Sequence, residues 1–296
     1  MNKIIDDLIQ LNISDSESLE HFNDKTRDRL GLESYKCKKS KVIVLKDVHF
    51  NEDYYLQNDH YHQSNRNLTK TSKETIQIHP LDDDKRRFNS YKTMLTGKSL
   101  LDFGSGKGGF IKLCNEITSN CCAVELEEKN RFSLNEQGIE CFEKIQDLGN
   151  RQFDYVTLNH VFEHLIRPLD YISMFHEVLN EDGILIIEVP HAQDFLLDKL
   201  DLQAFKDFTL WSEHLILHTK KSLELFVTNN DKFKLLEIKG FQRYSLSNHL
   251  YWLKEGRPGG HELFNDIEDS EFHQHYQNYL NKINQTDTII GFFKKK

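Results

Sequence analysis

Leu100-Leu101-Asp102-Phe103-Gly104-Ser105-Gly106-Lys107-Gly108-Gly109-Phe110 is the stretch whose reading decides the fold. A short apolar run ends in an acid, four glycines crowd into six residues, and an apolar-periodic segment follows. That order is strand, turn, helix. The whole chain has only 14 glycines in 296 residues, so the cluster marks a place that needs bare backbone. Glycines allow a tight turn and close approach of a ligand, and the following helix offers its N-terminal N–H groups. An ordinary glycine-rich turn is the plain alternative.

Outward from this stretch, strands and helices alternate. Cys121 to Val124, Phe153 to Leu158 and Ile184 to Val189 read as further buried strands, and a weaker run lies near Glu140 to Ile145. The intervening segments, such as Leu169 to Leu179, are long enough for helices. Strands separated by helices of this length predict right-handed crossovers and a largely parallel sheet. After Pro190 the alternation lapses, 195–228 reads as mainly helical, and Phe233 to Ile238 and Thr286 to Phe293 read as late strands around a helical insertion. In front of the core, Ser14-x-x-Glu17 has the form of a capping box. Leu19, Phe22 and Leu30 at helical spacing, with Gly31 behind them, predict a helix there. Tyr35 to Cys37 and Val42 to Leu45 predict a small hairpin, and 50–80 reads as loop plus a short helix. The expected organisation is an N-terminal extension over 1–88, for substrate binding or oligomerisation. A catalytic domain over 89–296 follows, with helical insertions at about 195–228 and 241–285.

Composition narrows the function. There are 47 acidic and 38 basic side chains, a net charge of −9, which argues against a nucleic-acid acceptor. The basic spot Lys85 to Arg87 follows three aspartates, and Lys294 to Lys296 reads as a solvated tail. No apolar run is long enough to insert in a membrane. The five cysteines include no C-x-x-C pair, and the first residues are too acidic for a signal peptide, so a reduced cytoplasmic protein is expected.

Gly104, Gly106 and Gly109 satisfy the dinucleotide pattern G-x-G-x-x-G. Asp102 chooses between cofactors: a carboxylate there suits an ammonium group better than a pyrophosphate. Glu125, ending the next strand, can accept both hydroxyls of a ribose. Together they favour S-adenosylmethionine over NAD. On Asp102-x-Gly104-x-Gly106-x-Gly108, on Phe153 to Leu165 and on Asn180-Glu181-Asp182-Gly183, the chain resembles the class I S-adenosylmethionine-dependent methyltransferases. The resemblance implies an α/β, Rossmann-like doubly wound sheet of about seven strands, with one antiparallel strand near the C-terminus. It implies that Asp102, Gly104 and Gly106 hold the methionine part, that Glu125 holds the ribose and that Asp147 lies near the adenine, with Ser105, Leu126 and Asn159 also in the cofactor site. A narrower likeness, to sugar methyltransferases of bacterial surface-polysaccharide pathways, is carried by Asp84-x-x-Arg87, Glu188-Val189-Pro190-His191, Trp211 to His214, and Gln242-Arg243-Tyr244 with Asn248-His249.

His160, Glu163 and His164 follow the fourth core strand at i, i+3 and i+4. A helical turn there would put them on one face, at the sheet edge where ligands bind in open α/β folds. They are the expected catalytic residues, His160 or His164 taking a proton from an acceptor hydroxyl. With His214 or His191 added they form a candidate site for a divalent metal. The pattern is similar to Glu-x-x-Glu-His of the small-RNA 2′-O-methyltransferases, with His160 in place of the first Glu. His191, Tyr244 and His249 are expected substrate contacts. The expected partner is a small-molecule or sugar-nucleotide acceptor, with a homo-oligomer as a further option. The expected function is O-methylation of a sugar or nucleotide-sugar. An RNA or small-aromatic O-methyltransferase, an NAD-dependent oxidoreductase and a non-catalytic cofactor-binding domain are the alternatives.

Overall fold

The computed structural model describes residues 2–49 and 79–296; the expected loop and short helix over 50–80 falls almost wholly outside them. Eleven strands run through the described residues: β1 Leu19–Lys25, β2 Leu30–Cys37, β3 Ile43–Leu45, β4 Ser99–Phe103, β5 Asn120–Val124, β6 Glu140–Phe142, β7 Phe153–Asn159, β8 Leu179–Pro190, β9 Ile216–Leu217, β10 Phe233–Phe241 and β11 Thr288–Lys295. Seven of them form a sheet in the order β10-β11-β8-β7-β4-β5-β6. It is mostly parallel, with one antiparallel strand near the C-terminus, as a Rossmann-like fold requires. The other four form a small sheet, β1-β2-β3-β9.

The chain divides into two compact units, each gathered from separate stretches of sequence. One holds the residues through His49 with His160–Tyr171 and Ile187–Phe293. The other holds the described residues through Asn159 from the helix Asp82–Leu95 onward, with Ile172–Ile186 and Lys294–Lys296.

In the second unit β4 is buried along almost its whole length, as its unbroken Leu100-Leu101-Asp102-Phe103 run predicts for a central parallel strand. Fully burying side chains such as Leu100, Leu101, Val156 and Leu158 contributes roughly 1.5–3 kcal/mol each. Asp154 fixes the register at the other end of the strands. Its carboxylate accepts from the Ser99 amide at 2.9 Å and from Asn180 Nδ2 at 3.1 Å. The sheet order reverses at β4, which has β5 on one side and β7 on the other. A crevice forms outside the strand C-termini at such a reversal, so Asp102 and Asn159 stand where a ligand is expected.

Two expectations fail here, both for physical reasons. The predicted helix over Leu19 to Leu30 is instead the antiparallel hairpin of β1 and β2, with Leu19 opposite Cys37 and Lys25 opposite Leu30. Ser14 and Glu17 cap no helix: Ser14 Oγ meets Ser18 Oγ at 3.2 Å, and the Asp15 carboxylate accepts from the Ser18 amide at 2.8 Å in a turn just before β1. Gly31 does take the left-handed backbone expected of a helix stop (φ 75°), but beside the hairpin turn. The lysine tail is not solvated throughout. Lys295 is buried in β11 and donates to the Leu179 carbonyl at 2.8 Å, while Lys294 pairs with Asp182 at 2.8 Å.

The first unit shows what the residues before His49 do. Asn2 caps the helix Lys3–Gln10 through Oδ1 and donates through Nδ2 to the carbonyls of Leu45 and Leu215. β3 pairs with β9, Ile43 opposite Leu217 and Val44 opposite Ile216. The N-terminal hairpin is therefore bound to the segment that carries His214.

Candidate functional site

The expected site residues fall into two groups, one in each unit. In the second unit, the Asp102 carboxylate lies at the end of β4 with only 2% of the residue exposed. Its Oδ1 accepts from Thr157 Oγ1 at 2.7 Å and from Asn159 Nδ2 at 3.2 Å. Both donors are neutral. Burial accordingly pushes its pKa up to about 7, against the pull of those hydrogen bonds and of the Arg87 charge. Two buried polar atoms of the same unit have no hydrogen-bond partner, Asn159 Oδ1 and Ser105 Oγ. A buried carboxylate backed by an orphaned amide oxygen and a hydroxyl is a set of acceptors short of a donor. An ammonium group supplies what is missing.

The glycines permit the turn that follows. Gly104 and Gly106 take φ 73° and 54°, conformations that cost a side-chain-bearing residue roughly 1–2 kcal/mol. The Gly106 amide donates to Glu125 Oε2 at 2.6 Å, and the Glu127 amide donates to Glu125 Oε1 at 2.8 Å. Glu125 is thus fixed at the end of β5, its pKa raised by burial. Leu126 is half-buried beside it, its carbonyl accepting from Arg131. These residues can hold a ligand that carries an ammonium group and a diol. Asp147 stands differently: it is exposed and caps a single 3₁₀ turn, Ile145–Leu148, accepting from the Lys144 amide at 3.0 Å.

Gly109 has a reason that the glycine pattern does not reveal. A Cβ there would lie 2.1 Å from Asp84 Oδ2. Asp84 caps the helix Asp82–Leu95 through the Leu81 amide and pairs with buried Arg87 at 3.6 Å. Asp84 and Arg87 therefore sit in the same unit as Asp102 and act on its charge.

In the first unit, the backbone turns sharply after β7. His160 takes φ 55°, a left-handed conformation uncommon for a residue with a side chain. A 3₁₀ turn over Phe162–His164 follows, in place of the expected α-helical turn. The imidazole of His160 lies between two buried carboxylates, its Nδ1 at 3.2 Å from Glu163 Oε1 and its Nε2 at 3.3 Å from Glu188 Oε1. Burial and the Arg243 charge lower its pKa, but the two carboxylates outweigh them and hold it above the ordinary histidine value. Glu163 is fully buried; the hydrogen bond from His160 and the ring of His164 more than offset that burial and hold its carboxyl down at about 2. Both ring nitrogens of His160 are thus turned to carboxylates of its own unit.

His214 reaches the same cluster from 50 residues further along the chain. The Leu215 amide donates to the Glu163 carbonyl at 2.9 Å, and the Ser212 amide donates to Asp28 Oδ1 at 3.0 Å. The rings of His164 and His214 meet edge to face at 5.0 Å, with Trp211 beside both. Burial lowers both imidazole pKa values, that of His214 to about 3. The sequence offered no signal for Asp28 or Asn2, which help set the position of this segment.

The remaining expected contacts disperse. His191 is buried, with Nδ1 donating to the Thr286 carbonyl at 2.9 Å. His249 is buried as well, Nδ1 facing Tyr276 Oη at 2.8 Å and Nε2 facing Gln242 Nε2 at 3.2 Å. Their rings serve the interior, which does not suit the expected substrate contact. Tyr244 is well exposed, beside Asp287, which accepts from its amide.

Comparison with known proteins bears on the family. A family model described as a methyltransferase domain matches residues 75–232, just over half of the chain. An uncharacterized protein of Haemophilus influenzae is 30% identical over 114 residues, a match covering 33% of this chain and 44% of that protein, less than half its length. A methyltransferase of Archaeoglobus fulgidus described as SAM-dependent has a solved structure that superposes with a TM-score of 0.49 at 19% identity, over 71% of this chain and 92% of that one. A Thermotoga maritima structure described as a possible histamine N-methyltransferase gives 0.47 at 15% identity, over 72% and 89%.

Proposed function

The chain belongs to the methyltransferase-domain family, and from that premise we propose that it transfers a methyl group from S-adenosylmethionine to an acceptor hydroxyl on a sugar or nucleotide-sugar. The observation that carries the cofactor is Asp102, a buried carboxylate with neutral partners only, followed along the fold by the orphaned acceptors Asn159 Oδ1 and Ser105 Oγ. When bound, S-adenosylmethionine supplies an electrophilic sulfonium methyl. Asp102 and Asn159 would hold its ammonium group, and Glu125 its ribose hydroxyls. Gly104 and Gly106 leave the backbone open to it. NAD fits less well, because its pyrophosphate would meet the Asp102 carboxylate.

A hydroxyl must lose a proton as it is methylated, so the chain has to supply a group that takes or weakens that proton. Glu163, His164 and His214 cluster within the first unit and are the candidates for this role. His160 acts behind them by holding Glu163. Support for a sugar rather than RNA comes from the −9 net charge and from the residues shared with sugar methyltransferases. The five cysteines are all free and buried, and no helix among the described residues is long and apolar enough to cross a membrane; a cytoplasmic site of action accords with both.

The test is transfer of labelled methyl from S-adenosylmethionine to a panel of nucleotide-sugars, glycans, RNA and small phenols. Label in an ether on a sugar is the expected result. Label in RNA or a phenol replaces the acceptor assigned here. Tight NADH binding without affinity for S-adenosylhomocysteine overturns the reading altogether.

A further inference from the structure

Within the first unit, one ligand atom each from Glu163, His164 and His214 lies within 4.8 Å of the other two. Three polar atoms of this group, Glu163 Oε2, His164 Nδ1 and His214 Nδ1, are buried and have no hydrogen-bond partner. Orphaned polar atoms are rare in native interiors, and each one calls for a missing partner. The Glu163 carboxylate offers lone pairs only, and each neutral imidazole offers one lone-pair nitrogen, so the three side chains can each turn a ligand atom to a common cation.

We propose that Glu163, His164 and His214 bind one divalent metal ion of the zinc type, leaving a coordination position open for an oxygen of the acceptor. The proposal rests on the function assigned above and deepens it. Two imidazoles and one carboxylate match the ligand set of catalytic zinc sites, which keep a fourth position open. Hard ions such as Mg²⁺ prefer all-oxygen sets and are disfavoured by two imidazoles.

The dimensions permit this. Bonds of about 2.1 Å in a tetrahedral site bring ligand atoms to roughly 3.4 Å apart. Glu163 Oε1 and His164 Nε2 are 3.9 Å apart, so modest side-chain rotation closes the cage. Glu163 is fixed from behind by the His160 ring, the kind of outer partner that orients metal ligands. Trp211 forms a wall against both histidine rings, limiting water. His160 and His191, offered by the sequence as ligands, are not members of the triad. The first faces the Glu163 and Glu188 carboxylates and the second bonds to Thr286.

The experiment uses the full chain, freed of metal with a chelator, and no methyl donor or acceptor. Zn²⁺ is titrated by calorimetry, and Co²⁺ is added as a spectroscopic probe. One ion per chain and the intense visible bands of a low-coordinate Co²⁺ centre are expected. His214→Ala should weaken binding by about 100-fold or more. His214→Cys should restore it and add a thiolate-to-cobalt charge-transfer band. His275→Ala, on an exposed helix position, should change nothing. Absence of binding, or binding that His214→Ala leaves intact, overturns the proposal. S-adenosylhomocysteine is titrated into the same samples: its binding without metal binding sinks the metal site alone, and metal binding without it sinks the cofactor reading alone.

Discussion

Asp102 and Glu163 are both fully buried carboxylates, and they have opposite fates. Asp102 is hydrogen-bonded by a hydroxyl and an amide, and its pKa is pushed up to about 7. Glu163 is bonded by an imidazole and faces a second, and its pKa is held at about 2. Neutral donors soften the cost of burying a charge but do not cancel it; a positive partner does. One region is thus electrostatically incomplete and accepts a cationic ligand group. The other has internal compensation for its anion and keeps lone pairs over. The comparison predicts that substitutions in the two regions separate binding from stability.

The largest effect is expected from Asp102→Asn. Removing one member of a buried charge pair costs roughly 3–5 kcal/mol, so S-adenosylhomocysteine affinity should fall by about 100-fold or more in calorimetry. The unliganded protein should not lose stability with it. A carboxylate whose folded pKa lies above its unfolded value binds more protons when folded, so its contribution falls as pH rises from about 4 to 7. The variant removes that penalty, and its melting temperature at pH 8 should equal or exceed that of the parent. A melting temperature lowered at pH 8 would break the contrast at its root.

Glu163→Gln should do the reverse. It leaves His160 without one of its flanking anions and should cost about 3 kcal/mol of unfolding free energy in urea titrations at neutral pH. Affinity for S-adenosylhomocysteine should stay within about twofold. The depressed pKa places this group's contribution above its unfolded pKa, so the stability gap between parent and variant should close only as pH falls through about 4 toward 2. A gap that closes near pH 7 would mean that Glu163 is not the compensated carboxylate.

The pH dependence of cofactor affinity is a smaller effect with the same origin. With Asp102 at about 7 in the free protein, binding of an ammonium group requires loss of that proton below pH 7. Affinity for S-adenosylhomocysteine should then fall by about tenfold for each pH unit below 7, until its own groups titrate. A flat profile between pH 5 and 8 would assign the ammonium group to other acceptors.

The two regions also differed in how far the sequence revealed them. The cradle is nearly contiguous: Asp102, Gly104 and Gly106 lie in five residues, and Glu125 ends the next strand, so strand–turn–helix reasoning reached them all. The central strands of the sheet were legible as unbroken apolar runs, while its seven strands and the antiparallel one came from the family resemblance. The second region needed long-range information. His160, Glu163 and His164 were visible as a local pattern. That His214 joins them depends on β9 pairing with β3, and on Asp28 holding Ser212. The N-terminal hairpin was misread because Leu19, Phe22 and Leu30 happen to fall at helical spacing. Only cross-strand pairing, such as Leu19 with Cys37, decides between the two structures, and no local window contains it. His191 and His249 were misplaced because a histidine in a loop-like segment looks available, whereas here backbone carbonyl and side-chain partners hold both rings inside.

The smallest effect tests what the glycine spacing means. Gly104, Gly106 and Gly109 match a dinucleotide pattern, in which the third glycine serves close helix–strand packing. Here a Cβ at Gly109 would strike the capping carboxylate of Asp84 at 2.1 Å. Gly109→Ala should therefore displace that cap and cost about 1–2 kcal/mol. Asp84→Ala alone should cost about 1 kcal/mol, the worth of the cap. The double variant should lose little beyond Asp84→Ala, because the nearest obstacle is the Asp84 side chain itself and only the Pro80 Cα at 3.1 Å remains. Such coupling is what neighbouring sites show in a double-mutant cycle. If the two losses simply add, the Pro80 backbone at 3.1 Å is the obstacle instead, and the place of Gly109 in the motif owes nothing to Asp84. If they couple, the carboxylate that acts on Asp102 from the preceding helix belongs to the cradle, though it lies 18 residues before Asp102 and outside any glycine motif.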